Sequence, residues 1–215
     1  MTAPNIRTAA PLTVEAADLH VRRAAVPDLP DLVETLTVAF QPDPFMSWWI
    51  PDPERRWSIL ANCFELIADI NLPYDELYLT DPAPVAAAVW IPPGCQPSGD
   101  HAEELVGWYV AAAEETADRL QSALQLMAEV HPEQPHAYLF LLATLPQWQS
   151  RGLGSALLRN MLQRCDRDGV PAYLEATSED SRRLYLRHGF QATGEIRLPD
   201  GPSMWPMWRP PQPAL

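Results

Sequence analysis

Apolar residues recur along this chain at two spacings, one near 3.6 residues and one alternating or continuous, and their order predicts the elements. Leu19 to Ala25 reads as a first strand. Asp28 to Phe40 follows as a helix with Leu29, Leu32, Leu36 and Phe40 on one face. Gln41 to Pro53 is expected to be a loop, and Glu54 to Ile70 a second helix. Leu77 to Thr80 and Val85 to Ile91 form a strand pair around Asp81-Pro82, ended by Pro92-Pro93. From Ser98 to His131 the chain lacks proline, and Leu105, Tyr109, Leu120, Leu124 and Met127 fall at helical spacing, so a long or broken helical segment is expected.

The second half alternates more regularly. Ala137 to Ala143 is a buried strand, Gly152 to Arg167 a helix, and Ala172 to Ala176 a strand introduced by Asp168-Gly169. Ser181 to His188 is a short helix closed by Gly189. Phe190 to Arg197 and Met204 to Trp208 complete a sheet, and Pro206, which cannot donate to a ladder, places the last strand at an edge or bulge. Residues 1 to 17 read as a flexible arm, 18 to 209 as a single domain and 210 to 215 as a proline-rich tail.

One junction carries chemistry. In Gln149-Ser150-Arg151-Gly152-Leu153-Gly154-Ser155-Ala156 a glycine-bearing loop runs from an apolar strand into an amphipathic helix. Two residues without side chains let main-chain N–H groups approach an anion, and the helix start adds its unpaired donors and positive dipole end. A Walker-type loop is excluded because the chain contains no lysine. A dinucleotide fingerprint is weakened by Leu157 where its third glycine belongs, although Glu175 lies at about the distance of the ribose-binding acid, so that alternative stays open.

Charge separates the two halves. The chain carries a net charge of -13; residues 1 to 146 hold 6 Arg against 21 acids, whereas residues 147 to 197 hold 8 Arg against 6. A polyanionic cofactor would favour the basic stretch. The acidic part would attract cationic acceptors and repel nucleic acid, although acidic surfaces also simply keep proteins in solution. No stretch approaches the roughly 18 to 20 apolar residues of a membrane span, and Met1 to Leu19 lacks the apolar core of a signal peptide, so a cytoplasmic protein is expected. Cys63, Cys95 and Cys165 share no close spacing, and neither a disulfide framework nor a metal site is implied. No G-x-S-x-G elbow is present either.

The pattern Gln-x-x-Gly-x-Gly on a strand-loop-helix unit resembles the pyrophosphate loop of the GNAT superfamily of acyl-CoA-dependent N-acetyltransferases. Val170-Pro171-Ala172-Tyr173-Leu174-Glu175-Ala176, Leu184-Tyr185-x-Arg187-His188-Gly189-Phe190 and Leu198-Pro199-Asp200-Gly201-Pro202 with Trp205-x-Met207-x-Arg209 look like the C-terminal half of puromycin N-acetyltransferase-type members. The superfamily resemblance spans about residues 20 to 209. It implies a mixed α/β (α+β) fold: a mostly antiparallel central sheet of about six to seven strands, with two splayed parallel strands and flanking helices. It also implies transfer of an acetyl group from acetyl-CoA to a primary amine of a small molecule, aminonucleoside-like or drug-like, in a ternary complex, by a monomer or homodimer. An acyl-CoA-binding sensor or sequestering module without turnover is the alternative.

By the same resemblance, Leu142, Ala143 and Thr144 offer backbone groups to the pantetheine arm, and Gln149, Ser150, Arg151, Gly152, Leu153, Gly154 and Ser155 line the pyrophosphate. Tyr185 matches the tyrosine that protonates the departing thiolate. Glu175 is the first candidate for the base, with a water chain equally compatible; His136 and Asp43 are weighed as structural or solvated. Ser181 stands where many relatives carry asparagine, and Glu179-Asp180 departs from their more neutral or basic pair. Asp43, Phe45, Trp48 and Trp49 are expected to wall the acceptor site.

Overall fold

The computed structural model describes residues 15–96, 107 and 114–213. Among these, eight strands form: β1 (His20–Arg23), β2 (Leu77–Asp81), β3 (Ala86–Ile91), β4 (Ala137–Thr144), β5 (Ala172–Ala176), β6 (Gln191–Ala192), β7 (Ile196–Arg197) and β8 (Ser203–Arg209). Their order is β1-β2-β3-β4-β5-β8-β6, with β7 also on β8. Every pairing is antiparallel except β4 with β5. The helices are α1 (Leu29–Phe40), α2 (Pro44–Trp49), α3 (Pro53–Asn71), α4 (Ala117–Val130), α5 (Leu153–Asp168) and α6 (Glu179–Arg187).

Periodicity decides which face each element buries. β3 is buried at all six positions, as a strand covered on both sides must be. One face of the sheet packs against Leu32 and Leu36 of α1, Leu60, Phe64 and Ile67 of α3, and Leu120 of α4; the other takes Leu157, Leu158, Met161 and Leu162 of α5 with Phe190. Each such side chain contributes about 1.5 to 3 kcal/mol by leaving water. Cys63 and Cys165 are buried within these layers, where desolvation pushes the Cys165 thiol up to about 11, while Cys95 is partly exposed.

Several expectations need correcting. The segment expected as a loop from Gln41 to Pro53 contains α2, whose start is written locally. Asp43 is the N-cap, its Oδ1 accepting from Met46 N at 3.1 Å, and Pro44 occupies the first turn. The last strand is interior, between β5 and β6, and not at an edge. The sheet accommodates Pro206 by breaking the neighbouring strand: the register shifts by one residue between Ala192↔Met207 and Ile196↔Met204, and Thr193 N and Oγ1 both donate to Pro206 O. Phe190 to Arg197 is therefore two short strands, which raises the total to eight. Of the helical segment expected from Ser98 to His131, a turn at Glu114–Thr116 and then α4 are seen; Leu105 and Tyr109 lie outside the described residues, as do residues 1–14 and 214–215.

Two part-buried ion pairs fasten the layers. Arg164 of α5 donates both terminal nitrogens to Glu76, which also accepts from Tyr78 OH at 2.5 Å. Arg209, at the end of β8 and 3% exposed, donates to both Asp166 oxygens at 2.7 and 2.8 Å and through Nε to His188 O at 2.9 Å. It thereby joins α5 to the end of α6. The Arg209 guanidinium holds the Asp166 carboxyl below the usual carboxylate range. A depressed carboxyl stabilises the fold fully above its unfolded pKa and progressively less as pH falls through the folded value. Asp166→Asn should lower stability in urea unfolding by about 3 kcal/mol at pH 7, since Arg209 loses its partner while buried. The gap to the wild type should narrow below about pH 4.

Candidate active site

Strands β4 and β5 pair at only two positions, Ala137↔Ala172 and Tyr138↔Tyr173. Beyond these they part. β5 continues alongside β8 through Ala176, while β4 stays with β3 through Thr144. The β3–β4 register shifts between Val89 and Trp90, which leaves Phe140 unmatched as a bulge. Phe140, Leu141 and Ala143 consequently face the side of α1 and α3, and Leu142 the side of α5. The wedge opens into a cavity of about 1010 Å³, lined by Leu139 to Thr144 of β4 and by Glu175 and Thr177 of β5 and its exit.

The glycine loop closes one end. A short turn (Pro146–Trp148) leads from β4 to Gln149, whose Nε2 donates to Thr144 O at 3.2 Å. Ser150 and Gly152 then take positive φ, 61° and 86°; at Gly152 any other residue would be strained. Gly152 is the N-cap of α5 and supplies no capping side chain, and the first intrahelical bond runs from Ala156 N to Gly152 O. The N–H groups of Leu153, Gly154 and Ser155 precede that bond and are available to an anion. Gln149, Ser150, Gly152, Leu153, Gly154 and Ser155 all line the cavity. Gly154 is also needed for packing, since a Cβ there would lie 3.2 Å from Leu184. Arg151 is not part of the lining; its guanidinium stands 5.1 Å over the Trp148 ring.

Helix α6 sets the opposite wall. Ser178 caps it by accepting from Ser181 N at 3.2 Å, and Ser181 Oγ reciprocates by accepting from Ser178 N at 3.3 Å. Ser181 lines the cavity with its hydroxyl already engaged in that cap. Tyr185 is buried, edge-on to Phe190 at 5.9 Å, and faces the cavity. Burial, and next the charge of Asp43, push its phenol above the usual range, so the proton stays on. The end of α6 is tied to the glycine loop by His188 Nε2, 2.9 Å from Ser155 Oγ. Burial and then Arg159, Arg187 and Arg209 lower the pKa of His188 and keep its ring neutral.

Two carboxylates enter from the other face. Asp43 accepts from Thr177 Oγ1 at 2.6 Å, and burial pushes its carboxyl up. Glu175 shares the α1 and α3 face with Tyr173, and its side chain is only 3% exposed. Its Oε2 accepts from Tyr138 OH at 2.7 Å, and its Oε1 lies 3.7 Å from His131 Nδ1. Phe45 and Trp49 line the cavity, whereas Trp48 turns away: its indole N–H donates to Pro199 O at 3.1 Å, and it fills the space where a Gly201 side chain would be. His136 lies outside the lining, its Nδ1 2.7 Å from Gln134 O.

The structure thus brings Asp43, Phe45, Trp49, Leu142, Ala143, Thr144, the loop from Gln149 to Ser155 without Arg151, Glu175, Ser181 and Tyr185 to one cavity, and leaves Trp48 and Arg151 beside it. Sequence reasoning missed Tyr138, Thr177 and His131, whose partners lie 37, 134 and 44 positions away, beyond any local pattern. His188 stood inside a recognised motif, yet its bond to Ser155 had no local signal.

Comparison with known proteins agrees with this geometry. The family model described as Acetyltransferase (GNAT) family matches residues 64–190. The crystal structure of histone acetyltransferase HPA2 and related acetyltransferase from Corynebacterium glutamicum is 31% identical, covers 92% of this chain and 99% of its own, and superposes with a TM-score of 0.69. A polyamine N-acetyltransferase of Drosophila melanogaster shares the fold at 21% identity, with 90% and 100% of the two chains covered and a TM-score of 0.60. Mycothiol acetyltransferase from Brachybacterium faecium is 36% identical over 61 residues, which span 27% of this chain and 18% of that protein. With the family model matched over more than half its length, and the splayed strands and uncapped glycine loop in place, the chain belongs to the GNAT family of acetyltransferases.

Proposed function

We propose that the chain transfers an acetyl group from acetyl-CoA to a primary amine of a small molecule by direct attack in a ternary complex. The observation that carries this reading is the single cavity joining the uncapped first turn of α5, the free edge of β4, two buried carboxylates and the Tyr185 phenol.

The residues fit the donor. Open N–H groups at Leu153, Gly154 and Ser155, together with Gln149, Ser150 and Gly152, suit a diphosphate, and the parted edge of β4 at Leu142 to Thr144 suits an extended amide-bearing arm. Acetyl-CoA supplies the activated acyl group. Arg151, Ser181 and Trp48 enter the reading only as supports, since Arg151 stacks on Trp148, Ser181 is spent in a helix cap and Trp48 packs beneath Gly201.

Glu175 and Tyr185 divide the proton work. An amine must lose its proton before it can attack, and Glu175 faces the acceptor side of the wedge. Tyr185 holds its proton until a thiolate needs it. Burial makes the phenol a weaker acid, but the same desolvation makes a departing thiolate a stronger base, so the mismatch between about 10 and about 8.5 does not widen in proportion. Asp43, also buried, adds negative potential that draws an ammonium inward. The outer cavity walls of Phe40, Phe45, Trp49, Phe64, Leu124 and Met127 suit a flat or apolar amine body, such as the aminonucleoside-like or drug-like amine that the puromycin N-acetyltransferase-type resemblance implies.

A thiol-release assay with acetyl-CoA and a panel of amines tests the whole reading; tight acetyl-CoA binding with no release for any acceptor would count for a silent binding module. Tyr185→Phe and Glu175→Gln should each lower kcat by about 100-fold or more with acetyl-CoA affinity retained, and undiminished turnover removes the role from the residue concerned. Gly154→Val should crowd both Leu184 and the open N–H groups and weaken acetyl-CoA binding by about tenfold or more in calorimetry, roughly 1.4 kcal/mol. An unchanged Kd would refute the anion-cradle assignment.

A further inference from the structure

Glu175 has a neighbour that the reading above leaves unused. Its Oε2 is occupied by the Tyr138 hydroxyl, burial and next the nearby Glu175 charge push the Tyr173 phenol up, and Oε1 lies 3.7 Å from His131 Nδ1. His131 follows the last turn of α4, its N–H donating to Ala128 O. Its ring is held edge-on to Tyr138 at 5.1 Å and Tyr173 at 4.9 Å, and lies 5.0 Å from the His136 ring. The titratable groups packed around it are thus Glu175 and Tyr173 from β5, and Tyr138 and His136 from β4 and its approach. Burial, and next the charge of His131, lower the pKa of His136. The side chain of Glu175 is 3% exposed and that of His131 33%, so His131 stands between the buried carboxylate and solvent.

We infer that His131 is the final holder of the amine's proton, with Glu175 passing it across, so that the two side chains act as one base. This rests on Glu175 being the group that faces the amine. The ammonium N–H bond breaks as Glu175 takes the proton, giving a neutral amine. The carboxyl then gives that proton to His131 Nδ1, which leaves a carboxylate beside an imidazolium, and the imidazolium releases it to solvent. No charge is created or lost. The advantage is one of basicity: a free carboxyl has a reference pKa of about 4.3, poorly matched to an ammonium near 10, whereas a free imidazole has one of about 6.5. His131 reaches no reacting atom and acts only through Glu175. The gap of 3.7 Å must shorten by roughly 1 Å for the transfer, within reach of small side-chain rotations.

His131→Phe retains a ring against Tyr138 and Tyr173 and removes the titration; His131→Gln serves as a second variant if the first folds poorly. In the wild type the acidic limb of kcat against pH should fall in the imidazole range, at about 6 to 7.5. In the variant the limb should move down toward the carboxylate range, kcat near pH 7.5 should drop about tenfold, acetyl-CoA affinity should hold, and added imidazole should restore part of the rate. An unmoved limb, with or without a loss of rate, overturns the inference. NMR titration of His131 separates the two levels: its pKa should drop in Glu175→Gln if the pair is coupled. No change there refutes the coupling even if Glu175→Gln is inactive, whereas full turnover of Glu175→Gln refutes the reading of Glu175 itself.

Discussion

The parting of β4 from β5 after Tyr138 and Tyr173 is the constraint on which the rest of this structure depends. A parallel pair inside a covered sheet would ordinarily continue, because each buried main-chain group left without a partner costs about 1 to 3 kcal/mol. Here each strand satisfies one edge elsewhere, β4 on β3 and β5 on β8, while the bulge at Phe140 turns the end of β4 away from its parallel neighbour. The inner edges are thereby left facing the cavity. Lengthening the β4–β5 ladder by even two pairs would close the cavity and bury the approach to Glu175.

The cavity combines apolar walls with the carboxylates of Asp43 and Glu175, and these carboxylates govern its electrostatics. Tyr138 and Tyr185 are both raised, each by burial first and next by a carboxylate, Glu175 for one and Asp43 for the other. Phenols in such a place act as proton holders and hydrogen-bond donors, never as phenolates near neutral pH. The excess of arginine in the second half of the chain has a more structural meaning than its count suggests. Arg164 is committed to Glu76, Arg182 and Arg183 to acids one turn earlier on α6, and Arg151 to the face of Trp148. The donors at the start of α5 are main-chain N–H groups, which are fixed in direction and cost no side-chain ordering.

Position is held from a distance. Arg209 ties the end of β8 to Asp166 and to the His188 carbonyl just past α6, and Asp43 ties α2 to Thr177 just beyond β5. These links converge on Tyr185 from opposite sides, so a helix of nine residues can hold one phenol in place. Trp48 contributes in the same manner: by packing beneath Gly201 and donating to Pro199 O it binds α2 to the turn before β8.

What the sequence by itself determined was whatever is written within one or two turns of chain. The strand-loop-helix unit at 137–168 and the short helix closed by Gly189 follow from local periods and dihedral preferences. α2 was equally local, with an Asp-Pro start, and was hidden because six residues set among prolines are too few to show a helical period. What the tertiary structure alone decided were the matters between distant segments. Pro206 was readable as a ladder breaker, but the same restriction is met at an edge or, as here, by a bulge in the neighbouring strand, and only the order of strands selects between them. Likewise Asp43 with Thr177, and Glu175 with Tyr138 and His131, meet across 134, 37 and 44 positions because the sheet twists and the helices dock, and no residue carries in its own neighbourhood a signal of which distant partner it will face.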